Sequence, residues 1–373
     1  MTVRVNKQPF NIREKLSELE RPIGVKGNEL MRAETAQDAR DLVSAGRKNI
    51  IFNGNMMISQ RETSFTVNGS GSVYTLDRWA VRRGDISSLT VTKNTSTGLD
   101  SHPNALKVEC TADASQAAGT DTWIRYGVED VDSNSILNYP NGNKSLTLSF
   151  WVRANTAGQY SASITSGDFG DRFIHAFTVG ANTWEYKSFT MPPPSQWGTS
   201  SGYGLRVYFD LGSGSNYQSS TLDQWIYGGS VYAASGNTRV TGVNGRTFEV
   251  TGVQLEVGLN ATEFEHRPYG EELALCKRYY QKMGDSNTNE LTLGGYAVNN
   301  TNIYTSIQLP VEMRAVPTLS QVGSLYSVRA GQPSSLAGHR GRKGFGLAFA
   351  TTGDGYFLLA SNANAYFVLD AEL

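Results

Sequence analysis

The stretch VTGVQLEVGLNATEFEHRPYGEELALCKRYY, residues Val250–Tyr280, changes character midway. Its first part alternates as a strand, with Val250, Gly252, Gln254 and Glu256 against Thr251, Val253, Leu255 and Val257. Gly258-Leu259-Asn260 then turns the chain. His266-Arg267-Pro268 forces it out of the sheet, because the residue before proline avoids the helical region. After Pro268 the spacing becomes helical. In EELALCKRYYQKM, Leu273, Cys276 and Tyr280 share one face, with Leu275 and Tyr279 beside it. Acidic residues lead and basic ones trail, as the helix dipole prefers. A strand closing one β domain, a helix, and whatever follows it: that order divides the chain.

Upstream, residues 49–268 read as all-β. In SLTLSFWVRA, Leu146, Leu148, Phe150 and Val152 alternate with Thr147, Ser149, Trp151 and Arg153. YSASITSG, EYKSFTM, YGLRVYFDL and RTFEVTGVQLEVG alternate likewise. Gly, Asn and Pro clusters such as NYPNGNK and MPPPSQWGTSSGYG separate them, with no helical pattern between. Parallel crossovers would need helices, so a sandwich or barrel is predicted. Residues 269–284 form the helical linker. Residues 285–373 are again Gly-rich and strand-like and predict a second, smaller β domain.

Residues 1–48 differ in composition. They are densely charged and contain neither Trp nor Tyr. Asn11 and Glu14 suit a capping box, and Ile12, Leu16 and Leu19 form one apolar stripe. A second helix is expected from Thr35 to Gly46. Such short helices are marginal alone. They form either an accessory hairpin or a segment docking the chain on a larger assembly.

Composition excludes several classes. Among 373 residues the net charge is −1, which offers no basic field for nucleic acid. No apolar run suits membrane insertion, and MTVRVNKQPF lacks a signal-peptide core, so synthesis and assembly in a cytoplasm are expected. Cys110 and Cys276 lie far apart and are expected to be idle thiols. His102, His175, His266 and His339 have no metal-ligand spacing, no G-x-S-x-G elbow occurs, and no two carboxylates are set for glycoside hydrolysis. No enzyme is expected, and no cofactor beyond a structural Ca²⁺ that Asp168 and Asp171 of SGDFGDRF could help hold.

KNIIFNGNMMISQR, LDRWAV, SFWVRA, the opening quotation and LPVEMRAVPTLS, in that order, resemble phage tail-fibre and related virion proteins of the marine or cyanophage type. The resemblance runs from about Lys48 to Leu373 and is weaker over the first 48 residues. It implies a jelly roll similar to carbohydrate-binding modules, begun by the Asn-Gly-Met and Asp-Arg-Trp elements and closed by the "QLE-G … FE-R" strand. It also implies a C-terminal β domain ending in Ala-Glu-Leu, as Ala371-Glu372-Leu373 do. The expected function is a virion tail fibre, docked through residues 1–48 and adhering to host surface glycans. Homotrimers are usual in that family. The alternative is a structural spacer that binds only tail or capsid subunits.

Sugars offer an apolar face and a rim of hydroxyls, so aromatic loops with short polar neighbours are the candidate contacts. They are Trp123, Trp197, Tyr203, Tyr217 and Trp225. Arg340, Arg342 and Lys343 in GHRGRKG form either a solvated loop or a tip for anionic glycans. Within the Asp77-Arg78-Trp79 element, Arg78 is expected to fork onto a carboxylate or carbonyls while Trp79 fills the sandwich.

Overall fold

The computed structural model describes residues 48–373, apart from 70, 85–87, 138–143, 194–201, 285–290, 298–301, 334–339 and 363. The helices expected within residues 1–48, and Trp197, lie outside the described residues. Residues 49–373 form one compact unit.

The molecule is mainly β. Two antiparallel sheets face each other as a jelly-roll sandwich. The first runs, in spatial order, Ser64–Val67, Leu89–Asn94, Ala105–Cys110, Thr247–Val257, Leu146–Ala154 and Glu185–Met191. The second runs Trp225–Tyr227, Asp171–Val179, Gly158–Ser166, Tyr203–Asp210, Trp123–Glu129, Trp79–Arg82 and Ser72–Tyr74. The chain crosses repeatedly from one sheet to the other, so the inner face of each strand packs on distant sequence. Leu148, Phe150 and Val152 meet Ile124, Val207 and Phe209 in one core. The inward set of SLTLSFWVRA is the one its alternation predicts.

Three expectations are corrected. First, the alternation of Val250–Val257 breaks. Both Val250 and Val253 point into the core, because a bulge interrupts pairing with Leu146–Ala154 between Thr251 and Gln254. Gly252 takes the left-handed conformation there, φ 58°, and a Cβ would lie 2.8 Å from the His102 ring. Second, the linker is not helical throughout 269–284. The helix spans Tyr269–Lys277, and Tyr280–Met283 is a strand paired with Tyr366–Asp370. The Tyr280 segment, with Tyr280 and Gln281 buried, gains a full set of ladder partners by leaving the helix. Third, a helix does interrupt the sandwich sequence, at Asp130–Leu137. Gly204 is tucked against it, with no room for a Cβ beside Ser133.

The helical linker packs on its own chain. Cys276 and Tyr279 are buried, and Tyr279 donates its hydroxyl to Glu129 at 3.0 Å. Leu273 and Leu275 on that helix are half-buried. Beyond it lie three three-stranded sheets around a second core. Tyr366–Asp370 sits between Tyr280–Met283 and Thr318–Val322, and Gly355–Ala360 between Thr292–Ala297 and Tyr326–Val328. Gly344–Ala350 sits between Asn302–Gln308 and Arg340–Gly341. Phe345, Phe349, Phe357 and Phe367 fill the centre.

The C-terminus returns to the sandwich. Arg78, 1% exposed and left-handed at φ 72°, pairs with Glu372 and donates to the Gly127 carbonyl. Its guanidinium lies 3.4 Å from the Tyr279 ring centroid. Arg61 reaches Asp370 at 3.2 Å and Glu372 at 3.4 Å. Trp79 is buried, and its Nε1 donates to Asn53 at 3.1 Å. The Asp-Arg-Trp corner is therefore the lock between the first domain and the last three residues. Glu372→Ala would strand a buried guanidinium and is expected to cost about 3–5 kcal/mol. Urea unfolding checks this; a loss below about 1 kcal/mol would mean the pair behaves like an exposed one.

His102 supplies a pH test. It is 5% exposed, donates from Nδ1 to Asn55 Oδ1 at 2.8 Å, and stacks on His266. Burial, with His266 adding, lowers its pKa to about 4 from 6.5. Between those values the unfolded chain binds a proton that the native chain refuses. Its contribution is therefore complete above about pH 6.5 and is lost as pH falls towards 4, by about 3 kcal/mol at most. The fall in urea midpoint from pH 7 to pH 4.5 is expected to be smaller in His102→Gln. Equal falls would remove His102 from the acid response.

Candidate functional site

The outward face of the second sheet carries the least ordinary chemistry. Strand Tyr203–Asp210 sends Leu205, Val207 and Phe209 into the core, so Arg206 and Tyr208 face outward. Its neighbour Trp123–Glu129 likewise turns Ile124, Tyr126 and Val128 inward and Trp123 and Arg125 outward. Pairing sets Arg206 opposite Gly127 on one side and Thr165 on the other, and Tyr208 opposite Arg125 and Ser163. The missing side chain at Gly127 makes room for the Tyr203 ring, which a Cβ would approach to 2.5 Å.

Arg206 is held between two rings. Its guanidinium carbon lies 3.9 Å from the Phe169 centroid and 4.0 Å from that of Tyr203. Phe169 occupies a tight turn after Gly158–Ser166, in the left-handed region at φ 60°. That conformation costs a phenylalanine on the order of 1 kcal/mol or more. The turn is fastened from below. Asp168 Oδ1 accepts from Ser166 Oγ at 2.6 Å and from Gly170 N at 2.9 Å. Arg172 donates to the carbonyls of Phe169 and Gly228. The ring it presents is 38% exposed.

The Arg206 side chain is 6% exposed, yet its Nε and Nη1 meet no hydrogen-bond partner. Burial lowers its pKa below the ordinary guanidinium value; nearby tyrosines oppose this and Arg125 adds to it. It remains protonated at neutral pH. Arg125 lies over the Trp123 ring at 4.7 Å and donates to the Tyr203 hydroxyl at 3.0 Å, with its Nε unpartnered. The hydroxyls of Ser163 and Thr165 in the floor are unpartnered too.

From this cationic centre an aromatic series extends sideways. Trp123 meets Tyr208 edge-on at 5.5 Å, Tyr232 stacks on Tyr208 at 5.1 Å, and Tyr217 follows at 5.5 Å. The loop bearing Tyr217 and Tyr232 is pinned by the Tyr232 N to Tyr217 carbonyl bond at 3.0 Å. Of the candidates named from sequence, Trp123, Tyr203 and Tyr217 thus share one face. Trp123 is a buried floor residue, whereas Tyr217 is half-buried at the outer end. Trp225 belongs elsewhere. It packs edge-on against Phe173 at 5.6 Å, beside the core, and donates to the Pro192 carbonyl. Phe169, Arg206, Arg125, Tyr208 and Tyr232 were missed. The polar alternation of YGLRVYFD marks Arg206 as outward, but a solvated strand arginine looks the same.

Asp168 is committed to its turn, and among the described residues no group of three metal-ligating side chains occurs. His175 and Asp223 approach to 2.6 Å at the surface, a pair that sequence spacing did not reveal.

A concavity of about 850 Å³ lies on the C-terminal sheet, lined by Tyr304, Ile307, Glu312, Val316, Arg342 and Lys343 among others. Its cations are already met. Arg342 and Lys343 reach Glu312 at 2.9 and 3.7 Å. Arg340 stands exposed beside it. The sheet face is the stronger candidate because its charge has no partner.

No family model and no curated protein sequence matches the chain. Among solved structures, a putative sugar-binding protein from Bacteroides thetaiotaomicron aligns over 57% of this chain and 100% of its own, at 13% identity and TM-score 0.33. A family 11 carbohydrate-binding module from Clostridium thermocellum, in complex with a mixed-linked β-1,3-1,4 tetrasaccharide, aligns over 54% of this chain and 98% of its own, at 11% identity and TM-score 0.27. An arabinose-bound α-L-arabinofuranosidase aligns over 52% of this chain but only 26% of its own, at 11% identity and TM-score 0.29. Superpositions this loose add nothing to the strand pairing and nothing about ligands.

The stack itself makes a stability prediction. Desolvating an unpaired guanidinium costs several kcal/mol, while two ring contacts return about 1–2 each. Methionine keeps the ring contacts without the charge. Arg206→Met is therefore expected to stabilise the chain by about 1 kcal/mol, read from the urea midpoint. A destabilisation of similar size would show that the guanidinium is retained for the fold.

Proposed function

We propose that this chain is a virion tail fibre that adheres to host surface glycans through the outward face of its second sheet. The observation that carries the adhesive part is the ring-flanked Arg206, buried with its Nε and Nη1 unpartnered. Aromatic faces beside unpartnered donors suit a ligand with apolar ring faces and many oxygen acceptors. The virion assignment rests on the ordered motifs from KNIIFNGNMMISQR to the terminal Ala-Glu-Leu, and docking through residues 1–48 on their separate composition. Three-fold association belongs to the same proposal, and no catalytic role is part of it.

One observation favours the alternative, a structural spacer. Tyr296, Tyr304 and Tyr356 stand exposed on the C-terminal sheets, Tyr296 and Tyr356 paired edge-on at 5.3 Å. Exposed aromatic surface of that kind suits contact with another subunit.

Two measurements on the full chain separate these readings. Antibody labelling is expected to place the protein on phage particles, and the labelled protein is expected to bind host cells and to lose that binding once surface polysaccharide is stripped. Particle labelling without cell binding would favour the spacer. Failure to co-sediment with particles would overturn the virion assignment.

A further inference from the structure

The arginines packed into the sandwich find acceptors in one of two ways: Arg83 and Arg172 donate to backbone carbonyls, and others pair with carboxylates. Arg61, Arg78, Arg153, Arg267 and Arg278 each meet a carboxylate within ion-pair distance. Arg206 and Arg125 meet none, and each lies close enough to the other for Arg125 to depress the Arg206 pKa. The carboxylates nearby are spoken for. Asp168 closes the Phe169 turn, and Asp210 accepts from Ser213 N at 2.8 Å and Asn237 Nδ2 at 2.7 Å.

We infer that the Phe169–Arg206–Tyr203 stack, with Arg125 beside it, receives an oxyanion carried on a sugar, so that the glycan bound is an acidic one. This deepens the glycan-binding reading and rests on it. Hydroxyl rims of neutral sugars are matched by neutral donors and acceptors; they do not call for a buried cation with nothing opposite. A guanidinium offers only donors, in a planar fork that fits carboxylate, phosphate or sulfate oxygens. Here the fork is already oriented by the two rings, so little side-chain freedom is lost on binding. The partly exposed Phe169 ring supplies the stacking surface for the sugar itself. Arg172, which holds the Phe169 carbonyl, is a positioning residue for that surface. The C-terminal groove lacks this feature, because Glu312 already sits between its cations.

The test uses the full chain on an array of immobilised bacterial surface polysaccharides, neutral members beside members bearing uronic acid, phosphate or sulfate. Polyglutamate serves as an acidic polymer without sugar. Binding is expected only on acidic polysaccharides. It should disappear when a bound uronic acid is reduced to the alcohol, or a bound phosphate or sulfate is removed, and which treatment works identifies the oxyanion. Arg206→Met, expected to be the more stable protein, should weaken it about tenfold to a hundredfold. Arg206→Lys should recover only part, and Arg342→Met should leave it unchanged. Binding of neutral members that Arg206→Met does not affect would overturn the acidic ligand and leave glycan binding standing. Equal retention of polyglutamate would reduce the site to non-specific charge attraction and overturn the inference. No binding to any polysaccharide would remove glycan binding itself.

Discussion

The contact between Arg78 and Glu372 ties together parts that sequence distance keeps apart. Arg78 sits at the start of a sandwich strand, its ring partner Tyr279 just past the linker helix, and Glu372 next to last in the chain. Because the guanidinium also takes the Gly127 carbonyl, the same contact fixes the strand whose missing side chain admits Tyr203. Leu373 packs close to both Gly127 and Gly202. The C-terminal residue thus packs against the wall of the proposed binding site. A buried pair of this kind adds little net stability against an apolar substitute, but it has one satisfying geometry and so fixes the register of three segments at once.

The same economy explains the closing strand. Its bulge at Gly252 lets His102 lie against the backbone, and Val253 then bonds to Gly54 in the opening Asn-Gly turn at 2.9 Å. Arg267 donates to the carbonyls of Asn49 and Ile51, and Glu265 accepts from Asn49 N at 2.7 Å. The segments that enter and leave the sandwich are therefore stitched together by polar groups, while the core stays apolar.

Much of this architecture is legible in the residues. Alternation in SLTLSFWVRA identifies the inner face, because a half-buried strand has no other way to arrange its apolar side chains. The Asp-Arg-Trp corner is also legible, since an arginine beside a buried tryptophan needs an acceptor. The break of phase at Gly252 is not, because a bulge is set by what packs against it. Nor is the end of the helix at Lys277, where the deciding factor is a strand ninety residues away. The binding face illustrates the harder case. Tyr203 and Tyr217 stand out as loop aromatics, but Arg206 becomes unusual only when pairing puts Gly127 and Thr165 beside it and the Phe169 turn above it. A missing partner cannot be read from one strand. Trp225 fails in the opposite way: its loop context suggested exposure, and the edge strand turns it against Phe173.

The central claim is that adhesion takes place on the outward face of the second sheet. Amide hydrogen exchange of the full chain, with and without polysaccharide purified from cells to which it adheres, tests this most directly. The account predicts slowed exchange in 166–172 and 203–208. Slowing confined to 302–308 and 340–347 would place the ligand in the C-terminal groove and contradict it.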